Sequence, residues 1–336
     1  MPQPGKIEVR PFAWHDLFTV YHYRNQVLCL DQTWQLTHGS PIGLGALLRQ
    51  LRLTDYGDYT GVIEPEEGKP LLGQMNYSLG RRAAKLSFLL PDTALDANEM
   101  PALLENLAGQ AGERGATRLL ADVDDHSQAF ETLRHAGFVV YGWQHIWQAP
   151  DRQDAKPAGE FPWQPYTAMD EIEVNSIYHL LVPPLVQSAE AFDPHTSQGW
   201  IHRQNGEITA WVEAVTGPQG VCLFPLFHPA TENVGRLLQA LAVNPNRWFG
   251  RPVYLAIRSY QEWLTHFLEE MEALVSPRQA LLVKYLAVAS KVAETKEAFA
   301  HQNMMDKGWV GPATSIRNLH LRPMERITSR EIDRLV

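Results

Sequence analysis

The apolar positions of the chain follow two rhythms, one of period two and one near 3.6, and the switches between them mark out its elements. Residues 117–123 read as a buried strand, followed by a polar turn at Asp124, Asp125, His126 and Ser127. Ala129, Phe130, Leu133 and Ala136 then recur at helical spacing, and Gly137 stands where helices commonly end in a left-handed residue. Beyond it Tyr141, Trp143, His145 and Trp147 fall at period two, which predicts a strand carrying all four on one face.

Upstream, residues 7–12 alternate as a short strand. Asp16 is placed to cap a helix over 17–30, where Val20, Tyr23 and Val27 share a face. Residues 39–51 read as a glycine-containing connection entering a Leu-rich helical piece, and 58–63 as a strand. Residues 71–79 and 84–90 read as strands joined by a turn at Gly80, Arg81 and Arg82. Leu103, Leu104 and Leu107 predict a helix over 101–111.

Residues 149–162 are polar and proline-rich, as linkers are. The pattern then begins again. Pro165 precedes Asp170 as Pro11 precedes Asp16, and the interval from Gly68 to Pro91 recurs from Gly206 to Pro229. In this match Arg118, Leu119, Leu120 and Ala121 fall on Val253, Tyr254, Leu255 and Ala256. Leu133 falls on Leu268, and Gly137 and Phe138 on Glu272 and Ala273. Such spacing predicts two tandem copies of one fold, residues 1–149 and 163–336, joined by a linker over 150–162. Toward the end, 281–288 reads as a strand, 293–301 as a helix, 315–321 as a closing strand and 328–331 as a capping box.

The unit around His126, Ala129, Leu133 and Gly137-Phe138 resembles the C-terminal part of the GNAT acyltransferase fold, with the frame kept. The family's Asn and Tyr are replaced by His126 and Leu133. The resemblance implies an α/β (α+β) protein of two tandem GNAT-like domains, each a mixed, mostly antiparallel sheet flanked by helices. It also implies acetyl-CoA as co-substrate, in a cleft between splayed parallel strands, with its pyrophosphate on a glycine-bearing helix N-terminus. In the first half that loop carries Asp92, Asp96 and Glu99 and no glycine, which predicts a scaffold copy without a CoA site. In the second half Asn233, Val234, Gly235 and Arg236 are the cofactor-binding candidates. The family's acid position is Leu268 there, so Tyr260 is the candidate acid and Glu213 the candidate base for an amine. Acceptor loops are expected around 31–48 and 187–200. The rival reading is a catalytically inactive GNAT-like binding or regulatory module.

Composition narrows this further. The 336 residues are 45% hydrophobic, enough for two sizeable cores, and the formal net charge of -9 argues against nucleic acid and anionic membrane as partners. Cys29 and Cys222 lie in apolar runs as reduced thiols would, so a cytoplasmic location is expected. No run of about 20 apolar residues is present, and the histidines show no metal-ligand spacing, so neither a membrane span nor a metal is expected. A small amine is the expected acceptor, and oligomeric state is not legible.

Overall fold

The computed structural model describes residues 8–42, 57–65, 68–150, 161–190, 192, 198–242, 248 and 250–286. The chain falls into two compact units, Met1–Ala289 and Ser290–Val336, and every described residue belongs to the first. The elements expected over 293–301, 315–321 and 328–331, and the helical piece expected in 39–51 beyond Ile42, lie outside the described residues.

The N-terminal half contains β1 (Arg10–Pro11), α1 (Asp16–His22), β2 (Leu28–Cys29), α2 (Gln32–His38), β3 (Asp58–Ile63), β4 (Leu71–Asn76), β5 (Ala83–Leu90), α3 (Met100–Glu113), β6 (Arg118–Asp124), α4 (Gln128–His135) and β7 (Val139–Gln148). The C-terminal half contains β8 (Gln164–Pro165), α5 (Glu171–Leu181), α6 (Pro184–Ala189), β9 (Gly199–Gln204), β10 (Glu207–Thr216), β11 (Val221–Phe227), α7 (Val234–Ala242), β12 (Val253–Arg258), a 3-10 segment (Ser259–Leu264), α8 (Thr265–Glu270), β13 (Leu274–Val275) and β14 (Gln279–Tyr285). The fourteen strands among the described residues join one sheet in the order β1-β3-β4-β5-β6-β14-β7-β12-β11-β10-β9-β8, with β2 on β5 and β13 on β7.

Each half packs its larger core on one sheet face, and smaller clusters lie on the other. Leu103, Leu104, Leu107 and Ala111 of α3 pack with Leu133 of α4 on Ala84, Leu86, Leu119 and Ala121. Gly73 of β4 permits that approach, since a Cβ there would lie 2.8 Å from Leu107 Cδ1. In the C-terminal half Leu237, Leu238 and Leu241 of α7 and Leu268 of α8 pack on Leu223, Phe227, Leu255 and Ile257.

The repeat is visible in the backbone. After Leu133 and Leu268 the chain leaves its helix in the same way, through Phe138 N–H to Leu133 O and Ala273 N–H to Leu268 O, both 3.0 Å. The intervening residues, Gly137 at φ 86° and Glu272 at φ 62°, are both left-handed. Asp16 and Asp170 recur too. Each is buried, accepts an amide three residues back (Ala13, Thr167) and holds an arginine (Arg10, Arg203).

The strand register read from sequence is one residue out. By sheet face, Leu119 corresponds to Leu255 and Ala121 to Ile257. A bulge leaves Ser87 unpaired between Leu86 and Phe88 on β5, whereas β11 pairs regularly with β10, so the half-strand before the bulge shifts by one.

Three further expectations are corrected. The helix over 17–30 stops at His22, and Leu28–Cys29 is drawn into the sheet as β2. Asp16 is the first helical residue rather than a cap. The aromatic strand face does not hold, because a second bulge on β7 sends Tyr141 to the face away from α3 and α4, while Trp143 packs with Phe130 and Trp147 joins the α7–α8 core.

The halves exchange strands. β14 pairs between β6 and β7 of the first half, and the far end of β7 pairs with β12 and β13 of the second.

Candidate functional site

Two strand pairs splay. β5 and β6 run parallel only from Ala83↔Arg118 to Lys85↔Leu120, and β11 and β12 only from Val221↔Val253 to Leu223↔Leu255. In the first half the chain itself fills the opening. Leu28 and Cys29 pair with Leu89 and Phe88. Leu30 donates its N–H to Ser87 O (2.9 Å) and accepts the Asp122 N–H (3.0 Å). Gln32 N–H then donates to Asp122 Oδ2 at 2.8 Å. In the second half no strand among the described residues stands between β11 and β12 past their last pair. Two positions on that edge nevertheless offer no free N–H: Pro225 has none, and Phe227 N–H donates to Oε1 of buried Gln261 at 2.9 Å.

A cavity of about 510 Å3 lies on the sheet face away from α3, α4, α7 and α8. Its floor crosses both halves. Lys85, Leu120 and Asp122 come from β5 and β6, Tyr141 and Gln144 from β7, and Phe224, Ala256 and Arg258 from β11 and β12. In the corrected register Lys85 matches Phe224, Leu120 matches Ala256 and Asp122 matches Arg258, so the cavity straddles the internal pseudo-symmetry. Asp31, Thr33 and Trp34 of the α2 start form one wall, Tyr178, Glu190 and Phe192 another, and Arg81 and Arg82 lie at an exposed edge. Both stretches expected to shape an acceptor pocket, 31–48 and 187–200, contribute to it.

Charges here are held by built contacts. Arg258 Nη2 reaches Glu190 Oε1 at 2.8 Å and Oε2 at 3.0 Å, and the Tyr141 hydroxyl also donates to Glu190 Oε1. Lys85, which lines the cavity, holds its Nζ 3.5 Å from Asp31 Oδ1 and exposes 46% of its side chain. Asp31's charge raises the Lys85 ammonium above its ordinary range against the cost of burial. Burial, reinforced by Asp31, pushes the Asp122 carboxyl up to about 7, with Lys85 opposing. Burial also holds the Tyr260 phenol up at about 12 and the Cys222 thiol at about 12. Tyr260 is therefore neutral, and Cys222 is an inert core thiol.

The Asp122 shift sets a pH dependence. A carboxyl raised in the folded state binds its proton more tightly there than in the unfolded chain. Its contribution is fully favourable below about pH 4 and is lost as pH rises toward about 7. Asp122→Asn keeps an oxygen for the Gln32 amide and removes the charge. The variant is expected to gain on the parent by on the order of 2 kcal/mol as pH rises through that window, measured by urea unfolding at pH 5 and pH 8. An identical difference at both pH values would show that Asp122 titrates normally.

Glu213 and Tyr260 both line this cavity. Asn233, Val234, Gly235 and Arg236 do not; they open α7 at the end of β11, with Asn233 left-handed (φ 56°) and Arg236 exposed. A Cβ on Gly235 would lie 3.0 Å from Phe267 Cδ1, so the packing of α7 on α8 leaves little room for a side chain there. Leu133 and Leu268, at the family's acid position, are wholly buried. His15, Asp16 and Glu64 lie close enough to share a cation, but the Arg10 guanidinium already bridges Asp16 and Glu64. No helix among the described residues is long and apolar enough to cross a membrane. Arg258, Asp122, Lys85, Glu190 and Gln144 were not nominated from sequence. The available signal was one lone charge in each of two apolar strands, Asp122 after Leu119, Leu120 and Ala121, and Arg258 after Leu255, Ala256 and Ile257.

No family model matches the chain, and no curated protein matches it. Solved structures do. A GCN5-related N-acetyltransferase from Sphaerobacter thermophilus aligns at 15% identity over 84% of this chain and 96% of its own, with a TM-score of 0.51. The fold is GNAT-like. A tandem GNAT protein from the clavulanic acid biosynthesis pathway aligns at 14% identity over 83% of this chain and 98% of its own, with a TM-score of 0.48. A putative acetyltransferase from Pyrococcus horikoshii aligns at 11% identity over 86% and 93%, with a TM-score of 0.47. At such identities the likeness extends to the fold of a GNAT-like protein and leaves its chemistry to the site.

Proposed function

We propose that this GNAT-like protein is an acyl-CoA-dependent N-acyltransferase in which only the C-terminal half receives the acyl donor and the cavity between the halves receives a small amine. The observation that carries this reading is the asymmetry of the two splayed pairs. Leu28–Leu30 closes the first, whereas the second opens onto a cavity lined by Glu213 and Tyr260. Asn233, Val234, Gly235 and Arg236 would hold the pyrophosphate through backbone N–H groups and one cation. Glu213 would accept the amine proton, and neutral Tyr260 would give one to the departing thiolate. Tyr260→Phe is expected to lower turnover about 10²–10⁴-fold with little change in stability, read by thiol release from acetyl-CoA in the presence of amines. Unchanged turnover would remove Tyr260 from the chemistry.

The loss of the Pro225 N–H and the capture of the Phe227 N–H by Gln261 favour a second reading, a GNAT-like binding module without transfer activity. Binding of acetyl-CoA separates the two.

A further inference from the structure

Charge does not decide what the cavity holds. The carboxylates and cations that line it are equal in number, four of each. Lys85 answers Asp31, Arg258 answers Glu190, and Arg81 and Glu213 are engaged as well. The rings decide it instead, and they gather where Glu213 stands. Phe224 lies directly opposite Glu213 in the β10–β11 register, and cross-strand neighbours are about 5 Å apart at Cα. Trp211, two residues before Glu213, shares its sheet face and meets Phe192 edge-on, with ring centroids 6.3 Å apart. Phe192 in turn stacks on Tyr178 at 4.6 Å and 16°. Burial, then Glu190, Tyr260 and Glu213, hold the Tyr178 phenol above its ordinary range, which places Glu213 near this stack. Phe224, Phe192 and Tyr178 are each only partly buried and line the cavity, so each keeps ring surface toward it.

An amine nitrogen within hydrogen-bond reach of the Glu213 carboxylate therefore has its first substituent atoms against these rings. A flat ring gains there, by offset or edge-to-face packing, what a saturated ring of the same shape does not. The geometry points to an aromatic amine as the ligand of this cavity, with its nitrogen on the ring or one carbon from it. The nitrogen faces Glu213, and the ring lies among Phe224, Phe192 and Tyr178. A volume of about 510 Å3 is ample for a molecule of one or two rings. This deepens the acyltransferase reading, on which it rests for the role of the amine as acceptor. In that role the neutral nitrogen takes the acyl group from sulfur, its proton passes to Glu213, and Tyr260 gives one to the departing thiolate.

The test is ligand-observed NMR and thermal shift of the full chain without CoA, comparing benzylamine with cyclohexylmethylamine. Both are ammonium ions at neutral pH and alike in shape, so they differ chiefly in the π face. Benzylamine is expected to bind about threefold to tenfold more tightly. Phe224→Leu and Phe192→Leu are each expected to shrink that preference, weakening benzylamine and leaving cyclohexylmethylamine nearly unchanged. The inference is overturned if cyclohexylmethylamine binds as tightly as benzylamine, or if neither binds at millimolar concentration. It is equally overturned if both variants keep the full preference. A separate acetyl-CoA titration keeps the two ideas apart. A ring preference without acetyl-CoA binding sinks the transferase alone, and acetyl-CoA binding without a ring preference sinks the aromatic amine alone.

Discussion

Arg258→Met is expected to lower stability by about 2–3 kcal/mol, because it breaks a largely buried ion pair and leaves one partner charged. Arg258 is 13% exposed and Glu190 31%, so their attraction is only partly screened. The substitution leaves the Glu190 carboxylate with the Tyr141 hydroxyl alone. The penalty of the orphaned carboxylate therefore outweighs the apolar area that methionine adds. Urea unfolding of Arg258→Met beside Arg258→Met/Glu190→Gln checks the account. The double variant should recover much of the loss, because neutralising Glu190 removes the orphan. A double variant as unstable as the single one would mean that packing around the guanidinium, not its charge, is what matters.

Leu30→Ala carries the second large effect, a loss of roughly 3 kcal/mol in stability. Leu30 is fully buried in the first core, and its backbone bridges Ser87 and Asp122 across the splayed pair. The side chain is what holds that bridge in place. Weakening it should also expose the Ser87 carbonyl and the Asp122 amide, read as faster hydrogen exchange at Asp122 than at Ala256. Stability within about 0.5 kcal/mol of the parent would show that the segment merely rests on the opening.

These two residues also show where sequence reading succeeds and stops. The strand–helix–left-handed residue–strand units around Leu133 and Leu268 were legible because their signals are local: helical spacing, then a residue that must turn left-handed. The hairpins before Pro91 and Pro229 were legible for the same reason. The Ser87 bulge was not, since only its pairing with Gln74 and Met75 reveals it, and it shifted the strand match by one. Val27 continued the helical spacing of Val20 and Tyr23 and carried the expected helix on over Leu28 and Cys29. Their capture by β5 is a tertiary contact that overrode a weak local preference. Strand exchange by β14 and β7 is likewise non-local. Of the site, Glu213 and Tyr260 were chosen by residue type, and the fold brings both to one cavity. Arg258, Gln144 and Asp122 meet only through the pairing of β6, β14, β7 and β12.

The most direct test of the central claim, that one half receives an acyl donor and the other is closed by its own chain, is calorimetric titration of the protein and of Arg236→Glu with acetyl-CoA at low salt. The account predicts one molecule bound per chain with micromolar affinity, and no detectable binding after the charge reversal at the α7 start. Two molecules per chain, unchanged affinity in Arg236→Glu, or no heat at millimolar acetyl-CoA would contradict it.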